Sequence, residues 1–523
     1  MFSSSDMATS YPLGVLEQMT FAFQHDFGLY MVFAALVFGF LLSFAVGAND
    51  AANSWGAPVG AGTVSLGVAF FLGSIMEILG SVYLSEEVVS TVAGDKSVVK
   101  MELYKSENIT ECTNFMEHKE TLLNERVLML GLVTSMIASQ LWQMIATYLA
   151  CPVSGTHTII SALMGFTLVE KGAEGLNVGS LESGSGIFKV LHGLVISPLL
   201  SLIMSFILYF LLYKFAVKKR DPRKILSKLF YSFCVFLIVM AVTFTFTNML
   251  KFESLKVEGK IMTKKVFSLI LGTLIGFLCS CLFFFFIIPE LLKMRGDLRI
   301  TFQIFSKKKE DKEMSEQFEL VARGEESKSK RKTSNNDEDE SDDVKRIFRP
   351  LQVLAACFGA LTHGSNDVGN CIGPLVTIWY LYKTPINYST DTPLYGILLW
   401  GGLGISLGLV CFGKRVIVTI GSKISQITPS LGFTVVLTAS IVVMVCSLTG
   451  IPTSTTHCQV MGVVGAGLAK GWVDKGAFRE GVETINFSLI GHIALAWIST
   501  VPFAFTLSAI LYAVARVIII GPY

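Results

Sequence analysis

Gly47-Ala48-Asn49-Asp50-Ala51-Ala52-Asn53 and Gly364-Ser365-Asn366-Asp367-Val368-Gly369-Asn370 decide the reading of this chain. Each places a carboxylate between two amides inside an otherwise apolar stretch. A carboxylate at membrane depth is costly and is usually kept for binding or transport. The same acid in the same amide setting, met twice, implies a duplicated chain with one site built from both halves. Composition agrees: 52% of the 523 residues are hydrophobic and 16% charged, and mean hydropathy is +0.59, which is too apolar for a soluble chain of this length. The formal net charge of +2 points to no partner. Basic patches interleaved with aromatics, the footprint of nucleic-acid binding, are absent from the apolar segments. The ten cysteines form no CxxC pair and read as small core residues.

Apolar runs long enough to cross a bilayer fall near 30–48, 66–84, 127–149, 187–213, 229–249 and 266–288, then near 351–381, 394–412, 431–449 and 487–516. Two shorter runs, 157–170 and 457–469, follow proline breaks and read as half-helices. The break motifs match: Pro152-Val153-Ser154-Gly155-Thr156-His157 against Pro452-Thr453-Ser454-Thr455-Thr456-His457. A weaker echo sets Ile196-Ser197-Pro198 against Thr500-Val501-Pro502. The expected fold class is therefore all-α and polytopic: two inverted-topology repeats with re-entrant helical hairpins and about 12 membrane segments.

Basic loops at 214–228 and 293–348 set the orientation, because cytoplasmic loops carry the excess of Lys and Arg. The expected organisation is an extracellular segment 1–29, a first repeat with its following helices over 30–292, a cytoplasmic linker 293–348, and an inverted second repeat over 349–523. Both termini lie outside. The linker holds Asp337-Glu338-Asp339-Glu340-Ser341-Asp342-Asp343 beside a basic stretch and is expected to remain unfolded. The loop 85–126 falls outside, where the sequon Asn108-Ile109-Thr110 is open to glycosylation. Residues 1–29 contain no Lys or Arg and no compact apolar core, so the first span is expected to serve as an uncleaved anchor.

Ser154, Gly155 and Thr156, with Ser454, Thr455 and Thr456, open short helices where hydroxyls and free amides favour an anion. Two such ends would surround a tetrahedral oxyanion with neutral donors. Ordinary helix capping by Ser is the plain alternative. Asp50 and Asp367 need a cation, and carboxylate and amide oxygens suit Na⁺, with protons as the other candidate. Asn49 and Asn53, like Asn366 and Asn370, are four residues apart and share a helical face. Glu77 is a further buried acid, which either takes part in transport or sits in a solvated cavity. His157 and His457 read as first-turn hydrogen-bonders rather than metal ligands. His363 has no matching partner in the first half, where Val46 stands.

These four blocks resemble the paired signatures and paired hairpin motifs of the inorganic phosphate transporter (PiT) family, of the sodium-phosphate symporter kind. The resemblance covers roughly 30–217 and 349–516. It implies Na⁺-coupled uptake of monovalent phosphate by an elevator-like or rocking movement, at the plasma membrane. Phosphate would be held by Ser154, Gly155, Thr156, Ser454, Thr455 and Thr456, with Asn53 and Asn370 assisting; Na⁺ would sit around Asn49, Asp50, Asn366 and Asp367. It implies no cofactor beyond the transported ions, no enzymatic step, and partners limited to phosphate, sodium, the bilayer and a second copy in a homodimer. Animal members carry a second glutamate in the span before the second hairpin, where this chain has Val436. Competing readings are another oxyanion such as sulfate, H⁺ coupling, and a phosphate sensor with little transport. An intramembrane enzyme finds no support from motifs of the HExxH or Walker kind, neither of which the chain contains.

Overall fold

A computed structural model of the chain describes residues 13–94, 96–104, 115–180, 185–218, 341–383, 395–423, 428–475 and 487–521, with isolated positions between 232 and 278. The first half forms α1 (Leu13–Asn49), α2 (Ala52–Gly60), α3 (Leu66–Leu84), α4 (Glu86–Ala93), α5 (Phe115–Tyr148), α6 (Gly155–Lys171) and α7 (Gly186–Leu212). The second half forms α8 (Asp342–Lys383), α9 (Tyr395–Lys423), α10 (Pro429–Leu448), α11 (Thr455–Lys475) and α12 (Phe487–Ala515). Between the halves, β1 (Leu255–Val257) pairs antiparallel with β2 (Lys260–Met262), with Leu255 opposite Met262. This is a helical polytopic membrane protein. Among the described residues seven helices are long and apolar enough to cross a bilayer.

Five expected spans match α3, α5, α7, α9 and α10 to within a few residues at most ends. Those at 30–48 and 351–381 lie inside the longer helices α1 and α8, and that at 487–516 corresponds to α12. Apart from isolated positions, the spans at 229–249 and 266–288 lie outside the described residues, as do the site Asn108 and most of the linker. Helix α8 begins at Asp342, so the acidic end of the expected linker is already helical. The short runs expected as half-helices are longer than the sequence suggested: α6 has 17 residues and α11 has 21. At a rise of 1.5 Å per residue, α11 is about 30 Å long.

The halves interlock. Helix α1 packs on α9 while α8 packs on α3, and α6 packs on α12 while α11 packs on α7. Each half thus completes the other. Gly47 of α1 and Gly364 of α8 show why: a Cβ added to them would lie 2.0 Å from Ile405 O and 2.3 Å from Glu77 O. Only glycine permits backbones to approach that closely. Packing polarity is inverted relative to a soluble protein. On α7, Leu199, Ile203 and Ile207 face outward, where lipid surrounds a spanning helix. Ser201 and Ser205 face inward and donate to the carbonyls of Cys458 at 2.6 Å and Gly462 at 2.8 Å.

Both hairpin breaks are built the same way. Helices α5 and α10 end at Ala150 and Gly450, whose φ values of 53° and 64° are left-handed. The terminal carbonyls are closed by Cys151 N to Ala146 O at 2.9 Å and Ile451 N to Cys446 O at 2.8 Å, a left-handed helix stop followed by proline. Four extended residues later Ser154 and Ser454 restart the chain as helix, each Oγ accepting from the backbone amide three residues on, both at 3.3 Å. The capping reading of these serines therefore holds. Such a cap contributes about 1 kcal/mol.

Candidate functional site

The two acid-amide signatures and the two hairpin breaks meet at one buried centre. Asn49 and Asn366 grip the breaks from behind. Asn49 Oδ1 accepts from Val153 N at 3.0 Å while its Nδ2 donates to Cys151 O at 3.0 Å. Asn366 repeats this on the other side, with Nδ2 donating to Thr453 O at 2.8 Å and Oδ1 accepting from Thr453 N at 3.4 Å. Each amide serves its own half's hairpin, at equivalent positions 153 and 453. Their first duty is to hold an extended backbone whose polar groups would otherwise be unpaired.

The last amide of each signature crosses over. Asn53 Nδ2 donates to Thr456 Oγ1 at 2.7 Å, and Asn370 Nδ2 donates to Thr156 Oγ1 at 2.8 Å. The hairpin tips also touch each other: Thr156 Oγ1 donates to Thr453 O at 2.8 Å, and Thr456 Oγ1 lies 3.2 Å from Val153 O. Beyond them the rings of His157 and His457 stack with centroids 4.8 Å apart, and His457 lies against Trp497. His457 Nδ1 also contacts Ser454 Oγ.

The carboxylates complete the crossing. Asp50 Oδ2 accepts from Gly155 N at 2.9 Å, and its Oδ1 lies 3.0 Å from Thr456 Oγ1. One acid therefore touches both hairpins. Asp367 Oδ2 accepts from Thr455 Oγ1 at 3.3 Å, and its Oδ1 accepts from Asn370 Nδ2 at 3.3 Å. Positions 155 and 455 are equivalent, yet one offers a backbone amide and the other a side-chain hydroxyl. The structure thus brings Asn49, Asp50, Asn53, Gly155, Thr156, Asn366, Asp367, Asn370, Thr455 and Thr456 into one network, with Ser154 and Ser454 at its edge as helix caps.

Glu77 is fully buried. Its Oε2 lies 2.8 Å from His363 Nδ1, and His363 Nε2 is 3.3 Å from Asp367 Oδ2. His363 therefore bridges two acids at the centre. Sequence reasoning passed over it because nothing matched it in the first half. Spatial equivalence explains the mismatch. Gly47 abuts Ile405 as Gly364 abuts Glu77, so Ile405 is the counterpart of Glu77, and Val46 is the counterpart of His363. One side carries a carboxyl–imidazole contact where the other carries two buried aliphatic residues. Val436, the position where the resemblance expects a second glutamate, lies on α10 in a different environment. It packs among Ala57, Phe348, Leu351 and Phe433.

The profile of the phosphate transporter family matches residues 46–508. A provisionally named phosphate permease of Thermococcus kodakarensis is 30% identical over 485 residues, which cover 92% of this chain and 97% of that protein. The chloroplastic inorganic phosphate transporter 2-1 of Arabidopsis thaliana is 28% identical over 481 residues, 91% of this chain and 71% of that one. Among solved structures, the sodium-dependent phosphate transporter is similar over 94% of this chain and 100% of its own, with a TM-score of 0.67 and 27% identity.

Proposed function

This chain belongs to the phosphate transporter family, and from that premise we propose that it is a Na⁺-coupled symporter that imports inorganic phosphate by alternating access. The observation that carries this reading is the double engagement of Asp50, which accepts from Gly155 N in one hairpin and faces Thr456 Oγ1 in the other. Those two donors belong to the set proposed to hold the anion. While Asp50 occupies them, phosphate cannot. A cation that neutralises Asp50 and draws its carboxylate away frees both donors at once.

The magnitude is sufficient for coupling. Two like charges about 4 Å apart repel by roughly 4 kcal/mol at an effective dielectric of 20. That corresponds to about three orders of magnitude in affinity. Na⁺ beside Asp50 and a second Na⁺ beside Asp367 would remove this penalty, so each ion makes the other tolerable. Phosphate is then held by Ser154, Gly155, Thr156, Ser454, Thr455 and Thr456, with Asn53 and Asn370 presenting the threonines. Asn49 and Asn366 keep one lone pair each for Na⁺ after holding the hairpins. Glu77 tunes the centre through His363. Alternating access follows from interlocked inverted repeats, in which each hairpin packs on a long helix of the other half.

In this reading both termini face the outside, the linker faces the cytoplasm, Asn108 is glycosylated, and the protein acts at the plasma membrane as a homodimer. The buried bridge Glu77–His363–Asp367 favours a second reading, in which a proton held on this chain replaces one Na⁺. Radiolabelled phosphate uptake into proteoliposomes separates the two. Uptake that requires a Na⁺ gradient and ignores an imposed proton gradient supports the symporter proposed here. Uptake driven by protons in Na⁺-free medium supports the second reading. Phosphate binding without flux under either gradient would favour a sensor.

A further inference from the structure

Asp50, His363 and Asp367 are buried, and each brings one ligand atom into a volume where these atoms lie within 4.8 Å of one another. The histidine is held in a specific way. Its Nδ1 meets Glu77 Oε2 at 2.8 Å, which fixes the ring and aims the opposite nitrogen at the aspartates. That nitrogen, Nε2, is 3.3 Å from Asp367 Oδ2 yet has no hydrogen-bond partner among the described residues. Asn370 Oδ1 is likewise buried and without a hydrogen-bond partner among them, while its Nδ2 lies against Asp367.

A carboxylate behind one ring nitrogen, with the other nitrogen bare and facing further carboxylates, is the arrangement that orients a histidine toward a metal ion. We propose that Asp50, His363 and Asp367 form a site for a divalent first-row transition ion of the Co²⁺ or Zn²⁺ kind, which displaces Na⁺ and blocks phosphate uptake. One such ion balances both aspartates. Imidazole adds affinity for Co²⁺ and Zn²⁺ that it does not add for a hard ion such as Na⁺. Bonds of about 2.0–2.2 Å require the three ligand atoms to draw together from their present spacing, with Asp50 exchanging its contacts to Gly155 N and Thr456 Oγ1 for the ion. The role of His363 here is distinct from tuning Asp367, because it supplies a ligand atom itself.

The competition with Na⁺ rests on the symporter reading; the binding of the metal does not. The test is therefore a Co²⁺ titration of the purified full chain in detergent, followed by the visible absorption of bound Co²⁺. The expected result is one saturable Co²⁺ per chain, displaced by Zn²⁺ and by rising Na⁺. His363→Gln should weaken Co²⁺ binding at least tenfold, and His157→Ala should leave it unchanged. Size-exclusion chromatography and phosphate-dependent thermal stabilisation check that His363→Gln is folded. Absence of saturable binding overturns the site, as does binding lost in His157→Ala and kept in His363→Gln. Titration of the unaltered chain needs no variant, and Co²⁺ occupancy indifferent to saturating Na⁺ contradicts the shared site. Uptake independent of Na⁺, with Co²⁺ binding intact, would overturn the symporter reading and leave the metal site standing.

Discussion

Asn53 Nδ2 donates to Thr456 Oγ1 across 2.7 Å, although the two residues come from opposite halves of the chain. Its mirror image joins Asn370 to Thr156 at 2.8 Å. A hairpin tip in this protein is thus positioned by the signature of the other repeat, while its backbone is held by the signature of its own. On the proposed function, movement of one half would therefore change the donors offered by both hairpins.

The threonine hydroxyls are separable from the threonine shape. Thr456→Val keeps the volume but leaves Asn53 Nδ2 without this acceptor and removes the donor facing Asp50. An unsatisfied buried group costs about 1–3 kcal/mol, so the apparent phosphate affinity should fall by roughly ten- to a hundredfold. Thr456→Ser should retain most of it. Concentration dependence of Na⁺-driven uptake checks both, and equal loss in the two variants would show that the methyl rather than the hydroxyl matters.

Glu77 and His363 should behave as a unit. Removing one partner of a buried pair typically costs about 3–5 kcal/mol, whereas replacing both with apolar groups is often neutral. The other side of the molecule already shows the apolar solution, Ile405 and Val46. Glu77→Ile alone should lower thermal stability in detergent markedly, and Glu77→Ile with His363→Val should recover most of it. A double variant as unstable as the sum of its singles would mean that the pair is not coupled as its geometry indicates.

Gly47→Ala and Gly364→Ala should each prevent correct folding. The new methyl would lie 2.0 Å from Ile405 O or 2.3 Å from Glu77 O, and backbone cannot give way as a flexible side chain can. Overpacking of this kind costs at least about 1–3 kcal/mol. The yield of monodisperse protein is the readout, with Gly396→Ala, which meets nothing within 4 Å, as the tolerated control.

Orientation is tested apart from transport. Asn108→Gln should abolish a mobility shift produced by glycosidase on the protein expressed in a glycosylating cell. An unaltered mobility before and after the enzyme would remove the support that this sequon gives to an external 85–126 loop.

Much of this was legible in the sequence for a specific reason. Asn49, Asp50, Asn366 and Asp367 were conspicuous because polar residues in apolar surroundings are expensive, and duplication doubled the signal. The hairpin motifs were legible because proline, then Ser, marks a stop and restart in any helix. His363 was not, because its partner Glu77 lies in another helix of the opposite half and its repeat counterpart is an aliphatic residue. Helix α2, Ala52–Gly60, escaped notice because the break at Asp50-Ala51 has no equivalent in α8, which runs unbroken through Asn366 and Asp367. The residue that stands opposite Glu77 in the second half, Ile405, lies in no motif that would mark it in the sequence. Counting along a chain cannot register which backbone abuts which, and the close contact of Gly47 with Ile405 supplies that information.

In the proposed function the Asp50 carboxylate withholds phosphate donors until a cation neutralises it. The most direct measurement is phosphate binding to the purified chain in Na⁺ and in choline, beside Asp50→Asn. The unaltered chain should bind phosphate roughly a thousandfold more weakly without Na⁺. Asp50→Asn, which removes the charge, should shrink that difference by at least tenfold. An undiminished Na⁺ dependence in Asp50→Asn would contradict the claim, as would phosphate binding by the unaltered chain that is the same in choline as in Na⁺.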